Sequence, residues 1–292
     1  MKKEKTLAIL TADIHLRDTQ PVCREDDYWE AQKKKIEFIL DMADELSCPI
    51  FVAGDFFDKA KSSPYLEQWI ISEIRSHGSP KIYVIPGQHD LPNHSIELIK
   101  KSSLSVLASA GVIDLFETPW NTELLKYTTA GMTLGMIHTM VYLEHPIHDT
   151  VSGRKASAML RKYPECDLIL TGDNHEAFSF VKEGRTLLNP GSMMRMDADQ
   201  AEHEPAIYLW DLEKNLIKTI LLPAPKGVVS REHIEVKEVR NDKIQSFIRR
   251  VKDDYEIGIS FHRNMESFLN RNKEKIRKPV QDLVWRLIEQ DE

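Results

Sequence analysis

Short apolar runs recur along the chain, each closing on a cluster of polar residues, at positions 6–11, 50–53, 81–85, 133–137 and 168–170. They are too brief for helices and are bounded by turn residues, which predicts buried strands. Between the first three lie segments with apolar positions at helical spacing, 29–46 and 66–77, so the front of the chain reads strand, helix, strand, helix, strand. That order implies a largely parallel sheet. From about Leu187 the texture changes, and Ala206-Ile207-Tyr208-Leu209-Trp210 and 216–222 form strand-like stretches joined by a short polar turn, as in an antiparallel hairpin. Pro223, Pro225 and Gly227 mark a boundary. The expected organisation is an α/β domain over 1–225 and a small α+β appendage over 226–292, the latter with a strand at 233–239 and helices near 243–252, 265–275 and 280–288.

In parallel α/β sheets ligands bind beyond the carboxyl ends of the strands, where loops converge and helix N-termini point inward. The polar clusters fall at those ends. Asp13-Ile14-His15 follows the first strand, Gly54-Asp55-Phe56-Phe57-Asp58 the second and Pro86-Gly87-Gln88-His89-Asp90 the third. His138 follows another, and Gly172-Asp173-Asn174-His175 yet another. One histidine after one strand is ordinarily structural, but repetition at successive strand ends points to a shared site. Oxygen and imidazole donors without thiolates suit manganese, iron or zinc. Two divalent cations roughly 4 Å apart would stabilise entering and leaving oxygens of an in-line attack on a phosphoester.

Composition narrows the setting. Over 292 residues, 41% hydrophobic and 29% charged residues exclude a disordered or fibrous chain. The start, Lys2-Lys3-Glu4-Lys5 before an apolar run, imitates a leader, but Asp13 and His15 interrupt it too early. No apolar stretch approaches the roughly 20 residues of a membrane-spanning helix. Cys23, Cys48 and Cys166 are odd in number and far apart, as expected of plain thiols in a reducing, cytoplasmic setting without a membrane partner. The net charge of −7 is unevenly divided, with −9 before Lys226 and +2 from there on. Front carboxylates that hold cations would shed much of that negative field.

The order Asp-x-His, Gly-Asp, Gly-Gln-His-Asp, His and Gly-Asp-x-His resembles the calcineurin-like metallophosphoesterases, with two substitutions. The resemblance implies a sandwich of two mixed sheets flanked by helices. It places Asp13, His15, Asp55 and His175 at a first cation, with Asp55 bridging, and Gln88, His138 and Asp173 at a second. His89, backed by Asp90, matches the histidine that contacts the phosphate and assists the leaving group. His145 and His148 compete with His138, but they flank a proline in a loop rather than ending a strand.

Finer wording is similar to the SbcD-like DNA repair nucleases. Thr11-Ala12-Asp13-Ile14-His15-Leu16, Gly54-Asp55-Phe56-Phe57-Asp58, Pro86-Gly87-Gln88-His89-Asp90-Leu91-Pro92 and Asn189-Pro190-Gly191-Ser192-Met193-Met194-Arg195 carry it. The likeness spans about residues 5–222. It implies a DNA exonuclease, a single-strand endonuclease, or both, with Arg195 near the site. His94 is expected at the surface, and its nearness to His89 in the chain makes it a candidate to touch substrate. The likeness implies as partners DNA, an SbcC-like coiled-coil ATPase and a second copy in a homodimer, with manganese the expected metal and magnesium, iron and zinc the alternatives. The family has asparagine at Gln88 and histidine at Asp173. An amide one methylene longer and a charged oxygen in place of imidazole leave two readings, a working site with a harder ligand set that favours manganese or magnesium, or a weak one. A small-molecule phosphodiesterase or phosphatase and a non-catalytic scaffold remain as alternative functions.

Overall fold

The protein is described by a computed structural model covering residues 7–118, 121–145, 153–232, 244 and 261–289. The expected strand at 233–239, nearly all of the helix at 243–252 and His148 lie outside those residues. Contacts divide the chain into two compact units, Met1–Ser230 and Arg231–Glu292.

In chain order the larger unit contains β1 (Leu7–Thr11), α1 (Tyr28–Leu46), β2 (Ile50–Ala53), α2 (Pro64–Ser76), β3 (Ile82–Ile85), α3 (Ser103–Ser109), β4 (Asp114–Leu115), β5 (Leu125–Thr129) and β6 (Met132–His138). There follow β7 (Val141–Tyr142), β8 (Arg154–Lys155), α4 (Ala156–Lys162), β9 (Leu168–Gly172), β10 (Phe178–Lys182), β11 (Arg185–Asn189), β12 (Ala206–Asp211) and β13 (Leu216–Leu221). One sheet runs β13-β12-β1-β2-β3-β4 and a second runs β10-β11-β9-β6-β5. In the first, β1 to β4 are parallel and β12 and β13 antiparallel; in the second, β6, β9 and β11 are parallel with antiparallel edges. Both sheets are therefore mixed, as expected.

Alternation along the strands explains the layering. In β1, Ala8 and Leu10 face the second sheet and pack with Phe51, Ile85, Leu134, Met136, Leu168 and Leu170 between the sheets. Ile9 points the other way, joining Ile50, Val52 and Val84 against Ile36, Ile39 and Leu40 of α1 and Leu66, Ile70 and Ile74 of α2. Ile137, Ile169 and Leu187 cover the far face of the second sheet against Met159 and Leu160 of α4. The outcome is helix, sheet, sheet, helix. Its inter-sheet core brings the carboxyl ends of β1, β2 and β3 to those of β6 and β9.

The helix starts are encoded locally. Asp27 caps α1 by accepting from the Glu30 amide at 3.0 Å, and Ser63 caps α2 ahead of Pro64 at its first position. The smaller unit contains α5 (Phe261–Arg271) and α6 (Lys278–Glu289), where buried Met265 and Leu269 pack with Phe268, Ile276, Val284 and Trp285. Among the described residues no helix is long and apolar enough to cross a membrane. Cys23, Cys48 and Cys166 are buried thiols, and no disulfide joins them.

Candidate metal centre

Asp13, His15, Asp55 and His138 are all fully buried, yet each donor-bearing side chain leaves the end of a strand for the same place. Ligand atoms of Asp13, His15 and His175 lie within 4.8 Å of one another, and so do those of Asp13, Asp55 and His138. His15, Asp55 and His89 form a third such group. Asp13, His15 and Asp55 each belong to two of the groups; the family resemblance makes Asp55 alone the bridge. The Nε2 atoms of His15 and His175 are 3.1 Å apart, and Nε2 of His138 is 3.3 Å from Oδ2 of Asp55.

The backbone is bent to achieve this. Asp13, His15, Asp55 and Asp173 have φ of 48°, 49°, 48° and 81°. Left-handed backbone costs a non-glycine residue about 1–3 kcal/mol and persists where surrounding structure enforces it. The enforcement is visible: the Asp13 amide donates to the Gly54 carbonyl, the His15 amide to the Asp55 carbonyl, and the Asp173 amide to Oδ1 of Asp13 at 3.0 Å. Two glycines are needed for the approach of side chains. A Cβ on Gly54 would lie 2.2 Å from Nδ1 of His138, and one on Gly87 would lie 2.1 Å from Oδ1 of Asp55.

Burial sets the charges. It raises the Asp13 carboxyl well above its ordinary value, helped by the neighbouring Asp55 charge and opposed by His138. At Asp55 burial also pulls upward, but His138 and His15 outweigh it and hold the carboxyl below the usual range. Burial would lower His138, whereas the Asp55 carboxylate drives it up to about 10. His15 is lowered to about 3, chiefly by burial, and His175 is lowered for the same reason. Neutral imidazoles at 15 and 175 are the ligand form. Buried carboxylates that draw a proton onto His138 form a place where positive charge is stabilised.

The donor set fits divalent cations. Among the described residues Oε1 of Gln88 is buried without a hydrogen bond, and Oδ2 of Asp55 and Nε2 of His138 have only each other within hydrogen-bonding distance, at 3.3 Å, whereas buried polar atoms are nearly always well paired. His138 donates from Nδ1 to the Ala53 carbonyl at 2.7 Å, which directs Nε2 at Asp55.

The remaining expected residues divide. Gln88 reaches Asp173, its Nε2 donating to Oδ1 at 2.6 Å. His89 is exposed, its ring centroid 5.0 Å from that of His15, and its Nδ1 donates to the Asp58 carbonyl at 3.0 Å. Asp90 does not back the His89 ring. Its buried carboxylate accepts from the amides of Phe56, Phe57 and Gly87, because consecutive residues of a tight loop face different ways. Burial and the Asp55 charge push it up to about 7. Arg195 is not turned to substrate either: it is buried and donates to the carbonyls of His203 and Pro225. His94 is exposed on the turn Pro92–His94, and His145 is also exposed.

The segment 189–195, which the SbcD-like resemblance puts near the site, braces it through residues whose contacts the sequence did not reveal. Asn189 donates to the carbonyls of Asn174 and Glu176, the Ser192 amide to that of His175, and the Met193 amide to that of Asp13. Lys35, buried on α1, donates to the Met193 carbonyl at 2.8 Å. The advance signal for Lys35 is its place on a mostly apolar helix face, which it shares with buried Gln32.

The family described as calcineurin-like phosphoesterase superfamily domain matches residues 7–215. No curated protein matches the chain. Among solved structures, a protein characterised as a novel archaeal phosphodiesterase is 13% identical at a TM-score of 0.44, over 74% of this chain and 99% of that one. Vps29 of Entamoeba histolytica, complexed with zinc, is 12% identical at a TM-score of 0.38, over 74% and 98%.

Proposed function

We propose that this chain, which belongs to the calcineurin-like phosphoesterase superfamily and is thereby a phosphoester hydrolase, acts on the phosphodiester bonds of DNA. The carrying observation is the placement of one exposed histidine, His89, beside a buried set of carboxylate and imidazole ligand atoms. A phosphodiester within a long polymer reaches such a group from solvent without entering a closed pocket. The wording of the segments around Asp13, Asp55, His89 and Asn189 supports DNA over other esters, since it is similar to that of the SbcD-like nucleases.

Asp13, His15, Asp55, His138 and His175 would hold two divalent cations, with Gln88 and Asp173 completing the second site. When bound, such ions neutralise phosphate charge and lower the pKa of an attacking water. Manganese is the metal that the resemblance favours. The Nδ1–H of His89 is engaged by the Asp58 carbonyl, which leaves Nε2 turned to substrate; when the ring carries its second proton there, that N–H would meet a phosphate oxygen and pass its proton to the departing alkoxide. Exposed Val280 and Leu283 on α6 support contact with a coiled-coil ATPase of the SbcC kind, while Val284 is used within its own unit.

A small-molecule phosphodiesterase is the second reading, favoured by the charge of −9 before Lys226, which repels a polyanion. End-labelled single- and double-stranded DNA, and in parallel bis-p-nitrophenyl phosphate, separate the two when incubated with manganese, magnesium or zinc. Cleavage of DNA that disappears in Asp55→Asn is the expected result. Turnover of the small ester with intact DNA would give preference to the second reading.

A further inference from the structure

The two positions at which this chain departs from its family touch each other. Gln88 follows β3 in one sheet and Asp173 follows β9 in the other, 85 residues apart, and their side chains meet at 2.6 Å. The departures change size in opposite senses: glutamine is one methylene longer than asparagine, and aspartate is smaller than histidine. The longer amide therefore extends across the space that the shorter acid leaves.

The contact also fixes which way the amide faces. An ionised carboxylate only accepts hydrogen bonds, so the atom of Gln88 against Asp173 is the NH2 group, and Oε1 is turned away from it. Among the described residues Oε1 is buried and without a hydrogen bond. Buried acceptors in this condition are costly unless something electropositive meets them.

We infer that Gln88 and Asp173 act as a single exchanged unit that converts the second cation site into an oxygen-rich one, so that the two sites of this chain select different metals. The inference rests on the two-cation reading of the centre and deepens it. The first site, with His15 and His175 beside Asp13, keeps two imidazoles and accepts zinc. At the second site Asp173, which belongs to none of the three ligand groups, orients Gln88 so that its carbonyl oxygen is a ligand, and no imidazole stands at position 173. With Asp55 and a single histidine, His138, this set suits manganese or magnesium better than zinc.

Two consequences separate this from independent drift at two positions. Gln88→Asn shortens the amide so that it no longer reaches Asp173, and Asp173→His puts a ring where the long amide lies, so each single change should weaken the second cation. The paired change Gln88→Asn with Asp173→His should recover it, now as zinc. Restoring both residues is better than restoring one, the signature of coupled positions.

The test is metal binding, read without turnover. The full chain is stripped of metal, dialysed against zinc, manganese or both, and its bound metals are counted by elemental analysis, with calorimetric titration of the four variants. The expected result is one zinc and one manganese on the unaltered chain, and two zinc ions on the double variant. Each single variant should lose second-site affinity by on the order of 10- to 100-fold, the span seen when groups that orient metal ligands are changed. Two zinc ions held equally by the unaltered chain, or additive losses in the double variant, would overturn the exchanged unit while leaving the two-cation reading intact. A chain that takes up no divalent cation in any mixture would overturn both.

Discussion

Nε2 of His138 and Oδ2 of Asp55 lie 3.3 Å apart in the buried centre, joining the end of β6 to the end of β2 across the two sheets. Oδ1 of the same carboxylate accepts from the His89 amide at 2.8 Å, so Asp55 serves the centre with one oxygen and orders the His89 loop with the other.

Asp55→Asn therefore should disturb more than one cation. It removes the charge shared by two ligand groups and replaces an acceptor with an NH2 that faces His138. Metal stoichiometry should fall to one equivalent or fewer, with hydrolysis lost in parallel. Full metal content together with retained turnover would show that Asp55 does not bridge.

His89→Gln tests a separation of roles. Because His89 is exposed and its ring is tied to the Asp58 carbonyl, its removal should leave metal content nearly intact. Hydrolysis should slow by about 10²- to 10⁴-fold, the range for loss of a general acid. Its place in a group with His15 and Asp55 supplies the alternative outcome: a lost cation would make His89 a ligand.

The buried strands and the ligand-bearing clusters were legible because both depend on local pattern. β1, β2, β3, β6 and β9 are apolar runs that end in polar residues, and buried central strands offer few other readings. β5 and β10 escaped because they are sheet edges with alternating half-exposed positions. The β10–β11 turn did carry a signal in Glu183-Gly184, whose φ values of 54° and 73° suit a two-residue hairpin. Pairings between distant residues were not legible at all. The family resemblance put Asp90 behind His89, but the carboxylate turns to three amides; nothing in the spacing announced that Gln88 meets Asp173.

Asp90→Ala should act on the fold of the loop before it acts on chemistry. The amides of Phe56, Phe57 and Gly87 would lose their acceptor in a buried place, and an unsatisfied buried donor costs about 1–3 kcal/mol. A drop of several degrees in the thermal midpoint is expected, with metal binding weakened because Asp55 and Gln88 border the same loop. An unchanged midpoint with hydrolysis abolished would instead make Asp90 a direct participant.

Lys35 sets a pH dependence remote from the ligands. It is buried on α1, and burial, aided by Arg24 and Arg195, lowers its amine to about 7. Unfolded, the same amine keeps its proton to about 10.4. Between pH 7 and 10 the unfolded chain thus binds more protons at this position than the folded one, so folding stability from Lys35 rises with pH across that window. The gain should be on the order of a few kcal/mol. Lys35→Met keeps most of the apolar stem, removes the titration and forfeits the hydrogen bond to the Met193 carbonyl, a loss of about 1 kcal/mol. Denaturant midpoints of both proteins at pH 7 and 9.5 give the comparison. The unaltered chain should gain stability relative to the variant at the higher pH; parallel changes in both would show that Lys35 remains charged within the fold.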